Sequence, residues 1–179
     1  MPLGHHSWSP KISRRTVAGL GLAIALSFGG AFSVAPVSAL SPACLATQLS
    51  ARIIDWQGAA GSRIANVRLY NASFTSCYVR NYPRVRLVSA TGATLIGGSA
   101  ASTTGATHVI APLHYRKTMV KTSNYCHGPF TAPVSLTFTL TGSLGRVVAI
   151  PVSTTDTDGV PPCLGAPGSA GSIDMQAWI

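Results

Sequence analysis

Short strand-like segments separated by turns fill the chain from Leu49 onward, and this pattern limits the fold more than any other feature of the sequence. Leu136, Phe138 and Leu140, for example, alternate with threonines, as in a strand that buries one face. No window is long and periodic enough to predict a helix. The sequence therefore predicts an all-β domain of about seven to nine short strands, a number typical of a two-sheet sandwich.

The individual strands follow from runs of β-forming residues bounded by glycine, asparagine or proline. We predict strands at residues 50–57, 63–70, 78–89, 94–96, 108–110, 115–122, 136–140, 146–152 and 173–179. Trp56, in the first of these, is predicted to be a core aromatic residue. Four prolines are expected at strand ends, bends or edges because proline cannot donate to a β-ladder: Pro83, Pro112, Pro133 and Pro151.

The first 39 residues have the three-part layout of a cleavable signal peptide. Arg14 and Arg15 precede an uncharged apolar run over residues 17–34, and small residues end at Ala39. We predict cleavage after Ala39, which leaves residues 40–179 as a single domain. The segment from Ser13 to Val17 partly resembles a twin-arginine signal, so the general secretory and twin-arginine routes both stay open.

Two alternatives would keep the protein at the membrane. The apolar run approaches the roughly 18 residues that span a bilayer, but its glycine, alanine and serine content argues against an uncleaved anchor. A lipid on Cys44 is disfavoured because the preceding residues lack the apolar position of a lipobox. We therefore expect a secreted or envelope-associated protein with no transmembrane segment after cleavage.

The charge balance is basic and poor in carboxylates. The chain has 13 lysines and arginines, four aspartates and no glutamate, for a formal net charge of +9. Loss of the signal peptide would leave ten basic residues against four acidic ones, a net charge of +6. Few carboxylates argue against glycoside hydrolysis and hard-metal binding. A basic exported domain is attracted to anionic surfaces and polymers.

Four cysteines in an exported chain indicate two disulfides: Cys44, Cys77, Cys126 and Cys163. The sequence permits three pairings, of which we prefer the sequential one, Cys44 with Cys77 and Cys126 with Cys163. Each bond would then stabilise the fold by roughly 3 to 4 kcal/mol in the chain-entropy model. A zinc site is the competing interpretation, but the sequence has no C-x-x-C spacing.

Catalytic motifs are weak throughout. The run from Gly97 to Ala101 contains Ser99 but lacks the final glycine of a G-x-S-x-G elbow, so it reads as a connector. Cys126 and His127 are sequence neighbours that would point to opposite faces of a strand, and a bonded cysteine has no thiolate.

Metal ligands are equally sparse. His108, His114 and His127 have no helical spacing and no nearby carboxylates, so we expect no metal site. The segment from Thr155 to Gly159 resembles part of a calcium loop without its bidentate glutamate and is predicted to be a polar turn. We expect no cofactor and no enzymatic activity.

Basic residues interleave with aromatic ones in two places. Arg84 and Arg86 would share one sheet face, and Arg116 and Lys117 follow Tyr115. Together Arg84, Arg86, Arg116 and Lys117 form a candidate polyanion-binding face. The competing interpretation is the solvated side of a half-buried sheet.

A family resemblance rests on the stretch from Val67 to Ser73 and the stretch from Cys77 to Pro83, followed by a V-x-L strand and further cysteines. This set resembles an actinobacterial exported family, domain of unknown function 4232, over roughly residues 44–152 and as far as Cys163. The resemblance implies an immunoglobulin-like β-sandwich at the cell envelope and implies no activity. Asn81 stands where the family usually has glycine, in the corner Asn81-Tyr82-Pro83, so we predict a left-handed backbone at Asn81.

The sequence thus predicts an exported, disulfide-stabilised, non-enzymatic domain that binds or supports something at the envelope or outside the cell. An envelope protein or an anionic envelope polymer is the expected kind of partner, and nucleic acid is not expected. The alternative is a secreted enzyme or enzyme inhibitor whose site residues lie on loops.

Overall fold

The computed structural model describes residues 41–98, 100–152 and 159–179, and the predicted signal peptide lies outside them. The described residues form ten strands and two short 3₁₀ helices, at Ala46–Gln48 and Thr141–Ser143. The strands are β1 (Leu49–Ala59), β2 (Ser62–Asn71), β3 (Cys77–Arg80), β4 (Arg84–Val88), β5 (Thr94–Gly97), β6 (Thr107–Ile110), β7 (Tyr115–Ser123), β8 (Ser135–Thr139), β9 (Arg146–Pro151) and β10 (Ser172–Met175). The all-β prediction is confirmed. Within these residues no helix has the length and apolarity needed to cross a membrane.

Eight of the strands form one sheet in the order β10-β7-β2-β1-β9-β8-β4-β5. Neighbouring strands run antiparallel except β1 and β9, which are parallel. The sheet curls until β10 contacts β4 and β5, so it is nearly a barrel. A separate two-stranded sheet pairs β3 with β6. The curled sheet therefore has a closed inner face and an outer face that looks away from the core.

The inner face carries the hydrophobic core. Its fully buried side chains include Ile53, Val67, Leu69, Leu87, Val120, Leu136, Phe138 and Trp178. Trp178 is 1% exposed, and its ring centroid lies 5.7 Å from that of Phe138. Trp56, the predicted core aromatic residue, is half-buried and packs against the core from its margin. The main aromatic residue of the core is thus Trp178, which the strand pattern does not single out.

The predicted strand at 78–89 is two strands in the structure. β3 ends at Arg80, the chain turns through residues 81–83, and β4 begins at Arg84 in the other sheet. The corner is where the sequence predicts it, but the left-handed residue is Tyr82, with φ of 57°, and the prediction for Asn81 is wrong. The backbone N–H of Asn81 instead donates a hydrogen bond to Ala106 O, and its side-chain oxygen accepts one from the backbone N–H of Trp178.

The two disulfides join Cys44 to Cys77 and Cys126 to Cys163, and no cysteine is free. The predicted sequential pairing is confirmed. The first bond attaches the segment before β1 to β3, where Cys44 N–H also donates to Tyr78 O at 2.9 Å. Both disulfides favour an oxidising compartment for the folded protein.

Candidate anion-binding surface

The outer face of the sheet brings three basic side chains together on neighbouring strands. In β1, Arg52 is exposed between buried Ala51 and Ile53, because strand side chains alternate between the two faces. Strand pairing places Arg52 opposite Arg68 of β2, and Arg68 opposite Lys117 of β7. We call these three residues, Arg52, Arg68 and Lys117, the cationic row.

An exposed tyrosine contacts two members of the row. The Arg68 guanidinium carbon lies 5.1 Å from the Tyr115 ring centroid, and the Lys117 ammonium nitrogen lies 5.7 Å from it. Both distances are within cation–π range. Tyr115, Arg68 and Lys117 are all exposed, so the two cations lie against the ring and stay open to solvent. The ring therefore limits the freedom of the two side chains without neutralising them.

Among the described residues, no aspartate lies directly opposite a member of the cationic row. The acidic residues of the described part of the chain are Asp55 and Asp174. Asp55 follows a bulge in β1, and its Oδ1 accepts a hydrogen bond from Asn66 at 2.5 Å. Asp174 lies on β10 opposite Lys121. Asp55 lines the same pocket as Arg68 and Lys117 and offsets part of their charge, while Arg52, Arg68 and Lys117 still follow one another across adjacent strands.

The other half of the outer face contains a groove of about 660 Å³ over β1, β9, β8 and β4. Arg52, Arg86 and Arg146 stand at its margins. Val148 and Ile150 of β9 form its floor and are 46% and 45% exposed. We call this feature the outer groove. Since Arg52 belongs to both, the outer groove and the cationic row form one continuous surface.

The structure divides the four basic residues predicted to bind polyanions. Arg84, Arg86 and Lys117 lie on the outer face, in the exposed phase of their strands. Arg116 has the opposite phase, and its guanidinium donates to Val109 O at 3.1 and 2.7 Å. Arg116 therefore connects β7 to β6 and does not lie on the predicted face. Adjacent residues of a strand cannot share a face, so sequence alternation already separates Arg116 from Lys117.

The sequence does not single out three residues of this surface: Arg52, Arg68 and Arg146. The available signal is local alternation, because Arg52 and Arg68 each lie between two inward-facing apolar residues, and Arg146 precedes buried Val147. Alternation does not reveal which strands are neighbours. Arg52, Arg68 and Lys117 lie side by side because of the register of three strands. The sequence of a single strand does not predict this arrangement.

The three histidines lie on separate segments. His108 is in β6, His114 places its Nδ1 2.8 Å from Pro112 O, and the His127 ring lies 5.6 Å from that of Tyr125. Among the described residues there is no group of three or more potential metal-ligating side chains. Ser99 and residues 155–158 of the polar turn predicted at 155–159 lie outside the described residues, so these two predictions are untested.

The family comparison agrees with the cysteine and corner motifs. The model of a family described as a domain of unknown function, DUF4232, matches residues 44–178. The chain belongs to this family. The match includes both disulfides, the corner at residues 81–83 and the whole of the outer face. No curated protein and no solved structure matches the chain significantly. A DUF4232 assignment gives no activity, so any function must be argued from the surface itself.

Proposed function

We propose that this DUF4232 chain is an exported, non-enzymatic binding domain that holds an anionic partner on the outer face of its sheet. The cationic row carries the proposal. Like charges directly opposite one another on a sheet are destabilising, by a few tenths of a kcal/mol to about 1 kcal/mol per pair. Arg68 has such a neighbour on each side. An anionic partner relieves this repulsion and gains charge-assisted hydrogen bonds from exposed donors.

Export is supported by two independent features. The first 39 residues have the charged, apolar and small-residue regions of a signal peptide. All four cysteines of the chain are paired in disulfides, as is usual for proteins that leave the reducing cytoplasm. We therefore propose that the mature domain acts at the cell envelope or beyond it, in an actinobacterial setting like that of the family it resembles.

The non-enzymatic part of the proposal is supported by composition. The chain has four aspartates, no glutamate and no recognisable nucleophile motif. It therefore has few side chains that could act in acid–base or nucleophilic catalysis. We also propose that the curled sheet is a variant of the immunoglobulin-like sandwich, in which the two halves of the sheet face each other across the core. The antiparallel pairing on either side of β1 and β9 supports this classification.

The binding proposal is tested by the affinity of the oxidised protein for a sulfated polysaccharide, measured by titration at several salt concentrations. We expect Arg68→Gln to weaken binding about 3- to 10-fold, since an exposed charge contact is worth on the order of 1 kcal/mol. The effect should shrink as salt screens the charges. Lys121→Gln is the matched control, because Lys121 is exposed on the same strand as Lys117 but lies opposite Asp174. Equal losses in both variants would mean that net charge, and not the cationic row, determines binding.

Export is tested on protein recovered from culture medium and from the envelope. Non-reducing intact-mass analysis should give a chain that starts at Leu40 with both disulfides formed. A retained N-terminus or a free thiol would contradict this part of the proposal.

A further inference from the structure

We infer that the outer groove is a binding site for an extended acidic peptide segment that carries an apolar side chain between two carboxylates. The inference rests on the proposed function, because it names the partner class for one part of the same surface. Three observations lead to it: the apolar floor of the groove, the separation of its arginines, and the polar side chains of its wall.

The floor is apolar where a solvated sheet face would be polar. Val148 and Ile150 alternate with buried Val147 and Ala149, so they point outward into the groove. Both keep nearly half of their surface exposed, and both line the same concavity as Arg52 and Arg146. Exposed apolar side chains inside a concave, positively charged surface are typical of a ligand site. A ligand with an apolar group at its centre would cover them.

The arginines are spaced along the floor. Arg146, Val148 and Ile150 follow one another on the outer side of β9, and Arg52 lies opposite Ile150 on the adjacent strand. With a rise of about 3.3 Å per residue and about 4.8 Å between strands, the Cα atoms of Arg146 and Arg52 are about 14 Å apart. An extended peptide places its residues i and i+4 about 13 Å apart, on the same face as residue i+2. A segment of the form acidic-x-apolar-x-acidic therefore matches this arrangement.

The wall of the groove supplies hydrogen-bonding groups along the length of such a segment. Thr137 lies opposite Val148, and Arg86 lies opposite Thr137. Ser135 lines the groove one outward position further along β8. Thr137 is only 5% exposed, but the Ser135 hydroxyl and the Arg86 guanidinium can donate to the carbonyl oxygens of a bound backbone.

The same geometry disfavours an anionic lipid. A lipid headgroup concentrates its charge at one point, whereas these arginines are separated by roughly the length of four extended residues. Insertion into a bilayer also needs apolar side chains that protrude, and Val148 and Ile150 form the floor of a concavity. A peptide with two separated carboxylates satisfies both the charge and the shape.

The test is fluorescence anisotropy of a labelled synthetic peptide that contains Glu-Ser-Leu-Ser-Glu, titrated with the oxidised full chain. We expect Arg146→Gln to weaken binding about 10-fold through the loss of a bidentate carboxylate contact. Val148→Thr keeps the shape of the side chain and should weaken binding about 3-fold by removing apolar contact. Lys121→Gln, outside the groove, should change the affinity by less than 2-fold.

Two control peptides separate geometry from charge. One has glutamine in place of both glutamates, and the other has the two glutamates adjacent to each other; both should bind at least 5-fold more weakly. Equal binding of the two acidic peptides, absence of binding, or equal losses in Arg146→Gln and Lys121→Gln would each overturn the inference. Preferential binding to phosphatidylglycerol vesicles, lost in Val148→Thr, would overturn it in favour of a lipid. If the peptide fails while polysaccharide binding still depends on Arg68, the groove inference falls and the proposed function stands.

Discussion

The side-chain oxygen of Asn81 accepts a hydrogen bond from the backbone N–H of Trp178 at 3.0 Å, across 97 positions of sequence. The indole N–H of the same tryptophan donates to Arg80 O at 3.2 Å. These two bonds attach the segment after β10 to the corner between β3 and β4. They hold Trp178 over Phe138 and thereby connect the small sheet to the core of the large one.

Replacement of Asn81 by alanine should destabilise the protein by about 1 to 3 kcal/mol, because the buried N–H of Trp178 loses its acceptor. Urea unfolding of the oxidised protein measures the change. Gln176→Ala is the control, since the exposed Gln176 lies two residues from Trp178 and contributes its backbone N–H to pairing. If Asn81→Ala unfolds at the same urea concentration as that control, the hydrogen bond does not contribute to the free energy of unfolding.

A comparison of two tryptophans tests which one belongs to the core. Trp178 is fully buried with a bonded indole N–H, whereas Trp56 is half-buried and its Nε1 has no partner among the described residues. Trp178→Phe should therefore cost about 1 to 3 kcal/mol, from a lost hydrogen bond and an unfilled space. Trp56→Phe should cost less than half as much in the same unfolding measurement. The reverse order would show that Trp56 is the more important of the two.

The strand positions are predictable from sequence because alternation and turn residues are local. β1, β2, β7, β8 and β9 begin and end within about two residues of the predicted limits. The sequence indicates a corner at residues 81–83 but predicts one strand over 78–89, because apolar alternation continues on both sides of the corner. Trp178 escapes prediction for a different reason. Its burial depends on partners about a hundred positions away, which no local pattern contains.

The candidate site shows the same division. The sequence indicates a basic face at Arg84 and Arg86, because these residues alternate with Val85 and Leu87 within one strand. The sequence does not indicate the cationic row. Its members, Arg52, Arg68 and Lys117, are more than 15 positions apart along the chain and meet only through strand register. A group of side chains on one strand can be predicted from sequence alternation, whereas a group on neighbouring strands can be predicted only when the strand order and register are known.

Removal of a disulfide should be costly in this small domain. The bonds close loops with sequence separations of 33 and 37 residues, so the chain-entropy model predicts about 4 kcal/mol for each. Cys44→Ser with Cys77→Ser should lower the free energy of unfolding by about that amount. Loss of both disulfides should approach the whole stability of a domain of this size. Circular dichroism before and after reduction checks this, and an unchanged melting temperature in reductant would contradict it.

The cationic row should weaken the fold that presents it. Arg68→Gln removes the middle charge and is expected to raise the free energy of unfolding by about 0.2 to 1 kcal/mol, since two like-charge cross-strand contacts disappear. Lys121→Gln removes a charge opposite Asp174 and should lower it by a similar amount. Urea unfolding at low salt measures both changes. At 1 M salt, where the Debye length falls to about 3 Å, the two variants should converge on the wild type. Destabilisation by Arg68→Gln at low salt would show instead that Arg68 contributes more through its contact with Tyr115 than it loses by repulsion, and the argument that an anion relieves strain in the row would no longer hold.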